Sequence, residues 1–481
     1  MRKLKWLTLT AIMASLFLGG GRTVLFAADA ELIQLVQAMK KQIEAQEIRI
    51  RQLEADRASG AIVPSSGLEK DVALLKQQYE AHEEVRIKAE NEAPIVSASP
   101  DGFGLRSREG DFEIKLKGQV QADGRFFAND GTPSGSNTFL IRRARPILEG
   151  RIFKYFNYKL MPDFGGDGSA SIVDAYIDFK YWRSLSLRVG KSKVLGLERL
   201  QPDAHNRFPE LSLASNLVPN RDIGASLFGE LWNGVINYSA GVYNGSVDYA
   251  SNTRDSHDDK DFIGWIFLHP FKNSSREWLK GLGMGFGGSA GTSHSSNLPS
   301  YKSFGQNTFL QYLNTVSGDG NRYRFSPNFY YYLGPLGVLG EYVRSSQDLR
   351  RTDTNETSAF HNQAGQIMVS YVLTGEKSSY RGVSPKKNFD PAKGTWGAFE
   401  VVSRIDWFDA DKENLARFAD LRSYADRAMG WGLGLNWYLN KNLKFMTAFE
   451  QTFFDKGGLA KYGDKNRTNE NAFIGRLQLV F

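Results

Sequence analysis

In the stretch DFEIKLKGQVQADGRF, the apolar residues Phe112, Ile114, Leu116, Val120, Ala122 and Phe126 alternate with Glu113, Lys115, Lys117, Gln119, Gln121, Asp123 and Arg125. A period of two predicts a strand with one apolar and one strongly polar face. The pattern returns in SIVDAYIDFKYW, where Val173, Ala175, Ile177, Phe179 and Tyr181 oppose Asp174, Tyr176, Asp178 and Lys180. In AFEVVSRIDWF, Phe399, Val401, Ile405 and Trp407 oppose Glu400, Arg404 and Asp406. The chain closes the same way, with Phe473, Leu477, Leu479 and Phe481 opposite Arg476 and Gln478. About sixteen such strands fit between Asp111 and Phe481, an even number as single-chain bacterial barrels have.

Alternating strands build either a soluble sandwich or barrel, or a membrane barrel whose apolar face meets lipid. Strand length favours the membrane, since a tilted crossing takes roughly 10 residues. Aromatic clusters near strand ends, as in KYW, YWRS, FYYYLG and LNWYLN, resemble the girdles of such barrels. Connections alternate between tight (YWRS, LWNG, LNKN) and long polar ones (DYASNTRDSHDDKD, SSQDLRRTDTNETS). The reading is an all-β transmembrane barrel of about 16 antiparallel strands, wide enough for an aqueous channel.

Upstream of Asp111 the period changes. Leu32, Val36, Met39, Ile43, Gln46, Ile50 and Leu53 follow steps of four and three, the a/d pattern of a coiled coil. A weaker repeat runs through Leu68, Val72, Leu75 and Tyr79. The narrow stripe favours oligomerisation over a lone helix. Ahead of it, Arg2, Lys3 and Lys5 precede a short apolar run and the small residues of FAADA, the layout of a secretory signal peptide cut between Ala27 and Ala30. The expected organisation is a signal peptide at 1–28, an α-helical coiled coil at 31–90, a linker at 91–110 and the barrel at 111–481.

Charge sharpens this picture. Residues 1–28 carry four net positive charges and 29–110 four net negative ones, so the whole +7 of the chain falls in 111–481. With no cysteine, disulfides and thiolate metal sites are excluded. The six histidines lack metal-ligand spacing. The acidic DSHDDKD lacks the glycine and terminal glutamate of a calcium loop and reads as a solvated outer loop. GMGFGG, at Gly283–Gly288, has no helix behind it to receive a phosphate, so it reads as a strand. No nucleophile elbow or triad is present. Neither an enzyme nor a cofactor or metal site is expected.

What remains is the basic side chains. Lys115, Lys117, Arg125, Arg143, Arg145, Arg188, Arg322, Arg324, Arg404 and Arg476 fall on polar strand faces and outweigh the acids there. Arginine's planar fork suits phosphate oxygens. In FLIRRARPILEG, Arg143 and Arg145 share the lumen face, whereas Arg142 has the lipid-facing parity and is tolerable only at the rim or at a bulge.

Several ordered blocks, among them FLIRRARPILEGRIFKYFNYKLMPDFG, FPELSLASNLVPNRDIGASLFG and VSYVLTGEKSSYRGVSPKKNF, resemble the phosphate- and polyphosphate-selective porins of Gram-negative outer membranes. The resemblance implies a homotrimer of 16-stranded barrels, each with its own pore. It implies a central anion site formed with Arg142 and Arg143, joined by Arg125. It also implies an inward-folded constriction loop at about 191–221, carrying Lys191, Lys193, Arg199, Arg207 and Arg221. The chain departs from the family at Gln201, Pro202 and Asp203, where small hydroxyl residues are implied; the Asp203 carboxylate would repel a dianion or accept its proton.

The expected function is passive diffusion of phosphate or polyphosphate through an anion-selective pore in contact with outer-membrane lipid. The rival is an envelope tether that uses the coiled coil in the periplasm, the pore being secondary. Nucleic-acid binding is not expected, because the basic side chains lie inside a barrel.

Overall fold

The computed structural model describes residues 65–481 apart from 129–134, 167–168, 252–257, 456–459 and 463–464, together with four single helical positions at 45, 48, 51 and 55. The chain divides into two units, 1–91 and 92–481. In the first, helix α1 (Ser65–Glu92) contains the second heptad pattern. The stretch expected to be a signal peptide and almost all of the first heptad run lie outside the described residues.

The second unit is a closed antiparallel barrel of sixteen strands. The sheet starts within the stretch read as a linker, where β1 (Ile95–Ser99) and β2 (Gly102–Arg106) form a hairpin. β2 pairs with the first barrel strand, β3 (Glu113–Ala128). Then follow β4 (Thr138–Ile152), β5 (Phe156–Asp163), β6 (Ser171–Phe179), β7 (Ser186–Ser192), β8 (Asp222–Leu231), β9 (Ile236–Tyr243), β10 (Asp261–Leu268) and β11 (Leu282–Ser293). Two short strands, β12 (Ser300–Lys302) and β13 (Thr308–Tyr312), precede β14 (Val316–Leu333), β15 (Leu336–Arg351), β16 (Glu356–Val372) and β17 (Ala398–Asp409). After β18 (Ala419–Tyr424) come β19 (Arg427–Tyr438), β20 (Leu443–Asp455), the small hairpin β21 (Ala460–Tyr462) and β22 (Lys465–Arg467), and β23 (Asn469–Val480). β23 pairs with β3 and closes the barrel, and Gly118 and Phe481 exchange backbone hydrogen bonds at the seam.

Alternation works as predicted, inside out relative to a soluble protein. On β17, Ile405 is 62% exposed toward the lipid side while Arg404 and Asp406 are at most 2% exposed inside. Closure leaves no edge in the barrel wall, so every wall strand hydrogen-bonds on both sides, as hydrocarbon requires. GMGFGG lies within β11. One end of the barrel carries the tight turns, including YWRS, LWNG and LNKN, and an exposed belt of Trp182, Trp232, Trp278 and Trp396. The other carries most of the long connections.

Two expectations are corrected. SSQDLRRTDTNETS is not a long loop: β15 and β16 run to a turn at 352–355, with Arg351 paired to Glu356. Each residue from Ser345 to Arg351 has a partner on β16, so polarity alone mimicked a loop. The lumen is also far from uniformly aqueous. Inward-facing Val343, Phe360, Phe408 and Phe454 pack with Phe309 and Phe418 of the outer connections and with Leu213 and Leu217 of the 193–221 segment. Burying side chains of this size contributes about 1.5–3 kcal/mol each. This apolar mass fills the β15–β20 side of the interior and confines the open volume toward β3–β10.

Candidate functional site

Residues 193–221, between β7 and β8, fold into the lumen and cross it. Gly196 turns the chain with φ of 84°, and a single helical turn, α2 (Leu197–Leu200), follows. The N–H groups of Leu197 and Glu198 donate to the Glu341 carboxylate of β15, at 2.5 and 3.1 Å. This satisfies amides that a helix start leaves unpaired. The Leu213 N–H donates to Asp406 of β17 at 3.2 Å. Wall cations complete the anchoring: Arg404 donates to the Glu210 carbonyl at 2.9 Å, Lys444 to the Asn206 carbonyl at 2.8 Å, and Arg476 to the Pro209 carbonyl. Arg404 also lies between the Phe208 and Phe304 rings, 4.4 and 4.2 Å from their centroids.

A second segment folds inward from the turn end. In the connection 373–397, Ser378 Oγ and the Ser379 carbonyl accept from Arg207, at 2.9 and 2.8 Å. Arg207 also donates to Glu400 at 2.8 Å, and Tyr380 donates its hydroxyl to the Leu197 carbonyl at 2.6 Å. The two inward segments brace each other.

Two cavities flank the anchored loop. One, of about 570 Å³, opens toward the turn end and is lined by Lys117, Arg145, Lys159, Arg188, Lys193 and Arg221, with Glu149, Asp174 and Asp203. The other, of about 230 Å³, lies toward the long connections and is lined by Arg142, Arg143, Arg145, Arg199, Arg221 and Lys302, with Asp203 and Glu210. Six cations against two carboxylates leave the smaller cavity with a formal surplus of four positive charges. Arg145, Asp203 and Arg221 line both and form the septum between them.

At that septum, Asp203 accepts from Lys193 at 2.8 Å, from Arg221 at 3.3 Å and from Arg145, with Arg143 at 3.6 Å. Burial opposes its ionisation, but Lys193, Arg221, Arg143 and Arg145 together hold the carboxyl well below its ordinary range. A carboxylate so stabilised favours its charged form. Glu210 behaves alike. Burial works against its charge, and Arg142, Arg125 and Arg476 outweigh it.

Arg142 turns inward. Gln121 of β3 pairs with Arg143 and Ala122 with Ile141, so Arg142 is the unpaired extra residue of a β-bulge. Its Nε and Nη2 donate to the two oxygens of Glu210, at 2.8 and 3.2 Å. Gly165 lies over the bulge, where a Cβ would come 2.7 Å from the Arg143 Cα.

Seven of the predicted site residues line these cavities: Arg142, Arg143, Arg145, Arg188, Lys193, Arg199 and Arg221. The others do not. Arg207, Arg404 and Arg476 anchor the inward loop, and Arg125 is held by Asp123 and Glu210 at 3.1 and 2.5 Å. Arg322 and Arg324 bind Asp261 at 3.0 Å and pin the 244–248 backbone through the Gly245 and Ser246 carbonyls. Lys191 is buried on the parity of Leu187 and Val189 and makes no ion pair among the described residues. Sequence reasoning missed Glu210, Tyr249, Lys302 and Lys159. Tyr249 and Lys302 come from separate connections with no local pattern, whereas Glu210 had a signal as the lone acid of FPEL in a basic segment. No group of metal-ligating side chains occurs among the described residues. In DSHDDKD, Asp259 instead binds His294 and Thr292, at 2.9 and 2.7 Å.

The family model for phosphate-selective porin O and P matches residues 114–269 and 273–481. Porin O of Pseudomonas aeruginosa (strain PAO1) is 24% identical over 421 residues, spanning 81% of this chain and 93% of that protein. Among solved structures, the outer membrane channel DcaP of Acinetobacter baumannii superposes with a TM-score of 0.50 at 12% identity, over 79% of this chain and 99% of that one. The anion-selective porin from Comamonas acidovorans gives 0.47 at 13% identity, over 76% of this chain and 99% of that one.

Proposed function

The chain belongs to the phosphate-selective porin O and P family, and from that premise we propose that it carries phosphate or polyphosphate passively across a bacterial outer membrane through an arginine- and lysine-lined constriction. The observation that carries this reading is the septum, where Arg143, Arg145, Lys193 and Arg221 converge between two cavities of positive surplus. Positive potential draws anions toward the opening. At the narrow point, charge-assisted hydrogen bonds replace lost hydration, and the spread of cations over two cavities keeps each site weak enough for release. The protomers are proposed to form homotrimers in contact with outer-membrane lipid, with residues 31–90 as a periplasmic coiled coil.

Planar-bilayer recordings test the pore. Chloride current through the wild type is expected to reverse toward the chloride potential and to fall as phosphate is added. Arg143→Ala is expected to weaken that block about tenfold, the loss of one charge-assisted hydrogen bond. A cation-selective pore, or one indifferent to phosphate, would sink the reading.

A further inference from the structure

The geometry points to Asp203 as a built-in counter-ion that occupies the anion's place at the septum, so that the pathway favours multivalent oxyanions able to displace it over monovalent ones. This rests on the pore being an anion pathway.

Three observations carry it. First, the Asp203 carboxylate is shared by both cavities and is 8% exposed, so an ion crossing between them must pass it. Second, it faces four cations from three directions: Arg143 and Arg145 on β4, Lys193 after β7, and Arg221 at the far end of the loop. Third, each of those cations has another acceptor. Arg145 donates to Asp163 at 2.6 Å, Arg143 to Gln121 at 2.6 Å, Lys193 to the Gln201 carbonyl at 2.5 Å, and Arg221 to Asp174 at 3.4 Å.

The third observation decides how the carboxylate can leave. When Asp203 swings out, its cations remain held by their second partners and stay aimed at the vacated position. An arriving anion then meets a preorganised ring. A chloride ion brings one charge and no directional acceptors, so exchanging it for the carboxylate gains little. Hydrogen phosphate or a longer phosphate chain brings more charge and several oxygens suited to the arginine forks. The carboxylate therefore acts as a threshold that charge and acceptor count must exceed. Its fixed negative charge also shortens the residence of whatever anion takes its place, which favours release.

Conductance of Asp203→Asn and Arg221→Gln in chloride, with phosphate titrated in, separates the possibilities. Asp203→Asn is expected to narrow the discrimination, raising chloride conductance about tenfold while lowering the half-blocking phosphate concentration only about twofold, and Arg221→Gln is expected to raise that concentration. Opposite signs are the signature of a competitor for the cations. If both variants shift block in the same direction, Asp203 is a structural prop and the inference falls. If the wild type is blocked by phosphate but Asp203→Asn behaves identically, the inference falls while the pore reading stands. No block in the wild type overturns both. Folding of each variant is read from heat-modifiable migration in gels. The wild type supplies an arm independent of folding: sulfate is expected to block at least tenfold more strongly than nitrate, and equal block by the two overturns the inference.

Discussion

His205 lines the cavity of about 570 Å³ and also the basic vestibule below it, which contains Lys117, Arg381, Lys441 and Lys444. Burial, then Lys444, Arg381, Arg207 and Lys193, push its imidazole down to about 4 from an ordinary 6.5. The ring is therefore neutral at neutral pH and takes up a proton only as pH falls through about 4. Chloride conductance is expected to rise between pH 6 and pH 4 in the wild type and to stay flatter in His205→Gln. Stability moves the opposite way. Between about 4 and 6.5 the unfolded chain binds more protons than the folded one at this site, so folding weakens as pH drops through that window. Denaturant unfolding at pH 7 and pH 4 checks the sign, and a wild type that loses no more stability than His205→Gln would contradict it. Arg142 makes a different point at the same scale. Strict alternation assigns it to lipid, and a single unpaired residue reverses that assignment and delivers its fork to Glu210.

At the scale of elements, the inward loop is a strap held by charge. Its carbonyls accept from Arg404, Lys444 and Arg476, and its amides donate to Glu341 and Asp406. Arg207 and Glu400 form the clamp that ties it to β17, with both side chains at most 1% exposed. Removing one partner of a buried pair strands the other and costs about 3–5 kcal/mol. Arg207→Ala is thus expected to release the strap, enlarge single-channel conductance and blunt phosphate block, with the barrel still closed. Unchanged conductance would show that the remaining anchors suffice. The long connection 373–397 reinforces the clamp from the other end.

At the scale of the whole molecule, closure is complete within 111–481, since β23 pairs directly with β3. Deleting 31–90 is therefore expected to leave conductance and anion preference unchanged, measured on the refolded or membrane-extracted barrel. A fall in single-channel conductance would tie the N-terminal unit to the pore, while loss of envelope attachment with an intact pore would favour the tether. The interior is asymmetric on this scale. Apolar packing occupies the β15–β20 side, while the two cavities that share Arg145, Asp203 and Arg221 lie toward β3–β10.

The sequence by itself determined the barrel and its period-two strands, because lipid on one face and water on the other act on every strand alike. It also marked the RRAR block and the inward loop as the basic part of the wall. Which arginines face open volume was decided only by the tertiary structure. Arg143 and Arg404 carry the same parity signal, yet the first lines a cavity while the second lies between two phenylalanine rings under the strap. Phe408 has the same parity as Arg404 and faces a packed core. These outcomes depend on what arrives from distant segments to cover an inward position, and local periodicity contains no record of that.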